Sequence, residues 1–383
     1  MLKIPVGWLQ LKKEKIRFLV AVLGVTLAVV LILVQIGFRD SMLETSLRYH
    51  QLGNYQLALV SPTTTTLIQT RPFSGRRLYQ VITAAGVEQV TPVYAAQANW
   101  KDPASGENMQ ILAMGVDPAL EVFDIAEINE QRDLIKMRDF YLFDTLSRPE
   151  FGPVVENFQQ QGVAKAEVND QTIEVRGLFT LGTSFGINGS IITSVDNFTR
   201  LFPSRNRGMI DVGFVRLKRG VDAEMLRDSL NEYLPDDVRV MTKQDFKRLE
   251  LDFWNTISPV GGVFGFGIVV GLVVGAIIVY QILFADVNDH MAEYATLKAM
   301  GYSNLSLSGI VIQQAIILAV LGFIFGFGVS WGLYGLIGDF IKVEMEMTLE
   351  RGLNVLGLTL VMCAASALLA QRKLWSADPA EIF

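Results

Sequence analysis

The chain has 383 residues, of which 50% are hydrophobic and 19% charged, with a net charge of −6. An ordinary soluble domain carries about 25% charged residues, and this balance argues against a disordered or collagen-like chain and a phosphate-coating nucleic-acid binder. A single cysteine, Cys363, and two histidines, His50 and His290, exclude a disulfide framework and make a Cys- or His-rich metal site a poor reading.

In chain order, residues 1–17 carry Lys3, Lys12, Lys13, Lys15 and Arg17 against Glu14, and 21 uncharged residues follow, up to Arg39. Three more charge-free runs come late: 33 residues between Asp252 and Asp286, 40 between Lys298 and Asp339, and 20 between Arg351 and Arg372. A bilayer core of ~30 Å needs about 20 apolar residues in a helix. The expected spans are 18–37, 260–284, 310–337 and 353–371. The first apolar run is longer than a signal peptide's, and Gly37-Phe38-Arg39 offers no small-residue cleavage site, so it reads as an uncleaved anchor. The basic segment 1–17 places the N-terminus in the cytoplasm by the positive-inside rule. Four spans return the tail 372–383 to the same side, with 285–308 a cytoplasmic loop and 338–352 a short outer loop.

Residues 38–258 hold 23 Lys+Arg and 29 Asp+Glu, the density of a soluble domain long enough for its own core. Strand-like runs recur at Tyr55–Val60, Gln89–Trp100, Met109–Val116, Thr172–Thr180, Ser190–Thr193, Met209–Leu217 and Val238–Met241. Helical patterns fall at 75–85 and 222–234. The fold class is an α-helical membrane protein with four transmembrane helices and a large α+β domain between helices 1 and 2. At its edges, 38–51 and 243–258 are helical in pattern and predict stalks continuing spans 1 and 2. Thr242 and Asp245 resemble a capping box.

Gly182-Thr-Ser184-Phe-Gly186 fits the G-x-S-x-G nucleophile elbow. The base it needs is missing: His290 lies across the membrane and His50 at the membrane-proximal end. The motif therefore reads as a turn, and a membrane-tethered hydrolase is set aside. No Walker A sequence occurs, so any ATP must be bound by another subunit. Gly267, Gly271 and Gly275 recur every four residues in the second span, and the third carries Gly322, Gly326, Gly328 and Gly332, small residues that let helices pack closely within a subunit or across a dimer. The charge-free spans argue against an ion-coupled carrier.

The cytoplasmic loop holds Glu293-Tyr-Ala-Thr-Leu-Lys-Ala-Met-Gly-Tyr-Ser303, a short helix suited to docking in a partner's groove. This segment resembles the E-x-x-x-L-[KR]-A-x-G signature of MacB/FtsX-type ABC permeases, and Asp378-Pro-Ala-Glu-Ile-Phe383 resembles their terminal tail. The chain is more closely similar to the DevC family. Pro5–Leu11, Glu14-Lys15, Gly37–Asp40, Phe73–Tyr79, Ser147–Pro153, Leu181–Gly186 and Asp289-His290 carry that likeness. The resemblance implies a dimeric export permease with no cofactor of its own and with ATP and Mg on a separate cytoplasmic ABC ATPase. It implies a periplasmic membrane-fusion adaptor and a TolC-like outer-membrane channel as partners, a bacterial, cyanobacterial-like inner-membrane location and a lipid or glycolipid-like cargo. Movement would pass from ATPase to outer domain by mechanotransmission. It also implies that Glu293, Tyr294, Leu297, Lys298, Met300, Gly301, Asp378, Pro379 and Glu381 form the ATPase-coupling site. The alternative is an FtsX-like signal transmitter that controls a periplasmic enzyme and moves no solute.

Overall fold

The computed structural model describes residues 6–102, 106–184, 186–341 and 345–372. In chain order the helices are α1 (Val6–Lys13), α2 (Lys15–Leu52), α3 (Arg76–Ile82), α4 (Ala126–Gln131), α5 (Val154–Gln161), α6 (Val195–Leu201), α7 (Ala223–Tyr233), α8 (Lys243–Asp252), α9 (Pro259–Asp289), α10 (Met291–Ala299), α11 (Asn304–Ile341) and α12 (Leu349–Ala370). The strands are β1 (Leu57–Val60), β2 (Phe73–Ser74), β3 (Val87–Lys101), β4 (Asn108–Val116), β5 (Phe140–Asp144), β6 (Ala164–Val168), β7 (Gln171–Phe179), β8 (Ser190–Ser194), β9 (Met209–Ile210), β10 (Val212–Leu217) and β11 (Arg239–Thr242). The chain divides into a helical unit, residues 1–41 with 260–383, and a sheet unit, residues 42–259.

The sheet unit is built on nine strands in the order β11-β1-β10-β3-β4-β8-β5-β7-β6. The long β3 serves both halves. Its first part pairs with β10, and its far end pairs with β6 through Trp100 and Val168, closing six strands into a ring. Alternate residues of a strand point to opposite faces, so Ile111 and Ala113 enter one core with Trp100 and Phe151. Leu112 and Met114 enter another with Tyr55 and Phe246. α3 and α7 cover a third core through Leu78, Val81 and Leu230.

Local chemistry sets the helix ends here. Asp222 caps α7 by accepting from the amides of Glu224 and Met225. Thr242 and Asp245 exchange side-chain and backbone bonds in a capping box at the start of α8. α2 runs unbroken from Lys15 to Leu52, whereas the second expected stalk does not join its span directly. After α8 the chain forms a π-turn over Phe253–Ile257, and Ser258 is extended, with ψ 136°. A residue before proline is driven from the helical region by the ring's Cδ, and Pro259 imposes that break.

In the helical unit α2 is the central helix, with Val25, Ala28, Val29, Ile32 and Leu33 buried. α2, α9, α11 and α12 are each long and apolar enough to cross a membrane. Only 17% of the most apolar window of α9 is buried, and Val263, Phe266, Val269 and Val273 are more than half exposed. Water does not tolerate such a face on a soluble core helix, so this is a membrane protein with four spanning helices. Asp40 and Arg351 form an ion pair at 3.2 Å, and Tyr334 donates its hydroxyl to the Leu33 carbonyl.

Candidate coupling surface

α10 lies between α9 and α11, the helices expected as spans 2 and 3. Its burial divides by face. Tyr294 and Ala295 are buried, Leu297 and Lys298 are half-buried, and Glu293 and Thr296 are exposed. The phenol of Tyr294 reaches Gln10 Oε1 of α1 at 3.5 Å, and burial raises its pKa above the ordinary phenolic value. Tyr294 thus anchors the helix to its own chain, while Glu293 faces outward.

The end of α10 is fixed by Gly301. Its φ of +92° is the left-handed conformation that glycine adopts without steric cost. The Tyr302 amide then donates to Leu297 O at 3.1 Å and the Gly301 amide to Lys298 O at 3.0 Å. This is a Schellman motif. It turns the chain so that Met300, Tyr302 and Leu305 project, with Met300 63% and Leu305 82% exposed. Ser303 then caps α11 by accepting from the Ser306 amide at 3.3 Å. The resulting surface is a rigid knuckle with Glu293 on the helix and an apolar ridge at its tip. An amphipathic knuckle of this kind can seat in a hydrophobic groove.

Of the expected coupling residues, the structure places Glu293, Met300 and Gly301 on this outward surface, Leu297 and Lys298 at its margin, and Tyr294 inside. Asp378, Pro379 and Glu381 lie outside the described residues. Tyr302 and Leu305 were not among the expected residues.

Gly267, Gly271, Gly275, Gly322 and Gly326 face inward, whereas Gly328 and Gly332 meet nothing within 4 Å. A Cβ on Gly275 would stand 2.6 Å from Met362 Sδ and 2.7 Å from Ala28 Cβ, and one on Gly267 2.6 Å from Gln35. On Gly271 it would meet Ile32 at 3.0 Å. From the other side, Gly322 and Gly326 would meet Val25 and Val29 of α2. These glycines hold α2 between α9 and α11 within one chain.

Ser184 of the G-x-S-x-G sequence is buried and closes a tight turn with Ile187 through two backbone bonds. Asp144 organises this turn. Its carboxylate accepts from the amides of Leu181 and Gly182 at 3.0 and 2.7 Å and from Ser190 Oγ at 3.3 Å. Burial raises the Asp144 pKa, and these bonds oppose the rise. His50 is engaged elsewhere, with Tyr55 at 2.9 Å and Glu250 at 3.4 Å.

The fold defines a class: a membrane protein with four spanning helices, a large α+β domain inserted after the first, and a short helix between the second and third. The model of the FtsX-like permease C-terminal domain matches residues 265–379. The chain is also similar to the periplasmic region of MacB from Actinobacillus actinomycetemcomitans, at 12% identity and TM-score 0.36, covering 53% of this chain and 94% of that one. It is similar to the extracellular domain of the noncanonic ABC-type transporter YknZ from Gram-positive bacteria, at 14% identity and TM-score 0.31, covering 49% of this chain and 100% of that one. No curated protein matches the chain at a significant level.

Proposed function

We propose that the chain is the permease subunit of an ATP-driven ABC exporter of the DevC type, acting by mechanotransmission. The observation that carries this reading is the knuckle at Glu293–Leu305, set within the FtsX-like domain of residues 265–379. Its outward carboxylate and apolar tip suit a groove on a cytoplasmic ATPase, which binds ATP and Mg. The basic residues of segment 1–17 support cytoplasmic termini and a periplasmic sheet unit. α2 is one 38-residue helix shared by the helical and sheet units, and such an element can transmit displacement along its axis. In this scheme two copies act together with a membrane-fusion adaptor and a TolC-like outer-membrane channel, and the cargo is a lipid or glycolipid handled in the periplasm.

The test is affinity purification from native membranes. The expected companions are an ATPase and an adaptor; a cell-wall hydrolase in place of the adaptor supports the signal-transmitter alternative. Glu293→Lys reverses the charge of the docking surface and is expected to reduce ATPase recovery and ATP turnover by about tenfold, an interfacial loss of about 1.4 kcal/mol. Unchanged recovery and turnover would remove Glu293 from the site.

A further inference from the structure

Three sequence motifs are left unused by the knuckle itself: Pro5–Leu11, Glu14-Lys15 and Asp289-His290. Their described residues converge at one end of the helical unit. Gln314 of α11 is fully buried, and its amide nitrogen lies 3.2 Å from Gln10 Oε1 and 2.7 Å from Asp286 Oδ2. Gln10 Oε1 also receives the Tyr294 hydroxyl of α10. His290, the residue before α10, sets Nδ1 3.0 Å from the Asp286 carbonyl. At the rim Arg17 pairs with both Glu14 and Asp289. α1, α9, α10 and α11 therefore meet on one polar layer, with Gln10, Asp286, His290, Tyr294 and Gln314 all buried.

The layer requires α1 to lie close against α11. Gly7 supplies that approach, since a Cβ there would stand 2.9 Å from the Ile310 carbonyl and 3.2 Å from the Gln314 side chain. The layer is not fully satisfied: Gln314 Oε1 is buried with no hydrogen-bond partner. An apolar layer of the same volume avoids that cost, so such a layer is better explained by the register it imposes than by stability.

We propose that α1 is a clamp that fixes the position of α10, with Gln10, Gln314 and Asp286 as positioning residues and Gly7 as the contact that lets the clamp close. The idea rests on α10 being the docking helix. It makes the first helix part of the coupling device, because a knuckle anchored through Tyr294 to α1 passes on displacement that a loose one would absorb.

The test is hydrogen–deuterium exchange on the full chain in nanodiscs, with thermal unfolding measured alongside. In Gln10→Leu and Gly7→Leu, amides of 294–302 are expected to exchange on the order of tenfold faster, because a local opening becomes easier. Amides in the middle of α9 and α12 are expected to keep their rates, and the unfolding midpoint to stay close to the wild type. Asp286→Asn keeps an acceptor for Gln314 and is expected to retain slow exchange at α10. Unchanged exchange at 294–302 in Gln10→Leu overturns the clamp, and so does uniform acceleration through α9, α11 and α12. If Gly7→Leu fails to accumulate, Gln10→Leu decides the matter. A second arm measures ATP turnover of the copurified ATPase. The clamp variants are expected to retain the ATPase but lose stimulation by about tenfold. If the wild-type chain recovers no ATPase, the docking reading fails, while the exchange arm still judges the clamp.

Discussion

The sheet unit encloses most of its large aromatic side chains, and the helical unit displays many of its own. Trp100, Phe151, Phe179 and Phe246 are fully buried in the first, where β1 and β8 are covered along their whole length and β5 everywhere but at Phe140. In the second, Phe266, Trp331 and Leu336 are about 70% exposed, and the tightest contacts are backbone approaches at glycine. Water drives the first arrangement by the cost of exposed apolar area. A bilayer removes that cost, and what remains to hold helices together is close packing and a few polar contacts. Substitutions should therefore fail by different rules in the two units.

The largest effect is expected from Trp100→Ala. Trp100 packs against Phe143 and Phe151 at 5.4 and 5.7 Å between ring centroids, and removing it should cost about 3–5 kcal/mol. Limited proteolysis should open the sheet unit while the helical unit stays protected. The converse is Gly275→Leu, which forces Met362 and Ala28 apart and should cost roughly 1–3 kcal/mol or more by overpacking. The helical unit should then lose detergent stability while the sheet unit resists protease. Gly271→Leu should follow more weakly, and Gly265→Leu, with nothing within 4 Å, should be neutral. Matching behaviour of Gly275→Leu and Gly265→Leu would break the contrast.

Smaller effects test the polar interior. The folded pKa of Asp144 is raised, so folding retains its proton to higher pH than the unfolded chain does. The stability it contributes is greatest at low pH. It is lost as pH rises from the ordinary Asp value of about 3.9 through the folded pKa, and is constant above that. Asp144→Asn should remove this fall and give a flatter unfolding profile over that window. At pH 7 the net change combines relief of the buried charge with weakened bonds to Leu181, Gly182 and Ser190, and is about 1–2 kcal/mol in size. A small effect is expected from Ser184→Ala, about 1 kcal/mol or less for this buried hydroxyl, with activity retained. Lost activity with an intact fold would revive the hydrolase reading.

Much of this contrast was legible in the sequence, because missing charge over 20 or more residues has few other causes. The strands that alternate or are rich in β-branched residues were legible too. β5, Phe-Tyr-Leu-Phe-Asp, was not, since a strand buried on both faces has no alternation to read. β6, Ala-Lys-Ala-Glu-Val, is rich in helix-favouring residues, and pairing with β7 and the end of β3 overrides that preference. The break at Ser258 was signalled by Pro259 but masked by the helical spacing of Phe246, Leu249, Phe253 and Ile257. At the knuckle, Tyr302 and Leu305 fall in the expected cytoplasmic loop 285–308, but nothing in their spacing marks them as a projecting ridge, and only the turn at Gly301 exposes them. Gln10 belongs to the Pro5–Leu11 motif, but its role was not legible, because its partners lie more than 280 residues away.

The central claim is that the knuckle meets another protein's surface, and site-specific photo-crosslinking tests it directly. A photoreactive side chain at Met300, in the full chain in native membranes, is expected to yield a cross-link to an ATPase subunit, and the same probe at Tyr79 of the sheet unit is not. No cross-link at Met300, or the ATPase captured from Tyr79 instead, would contradict the account.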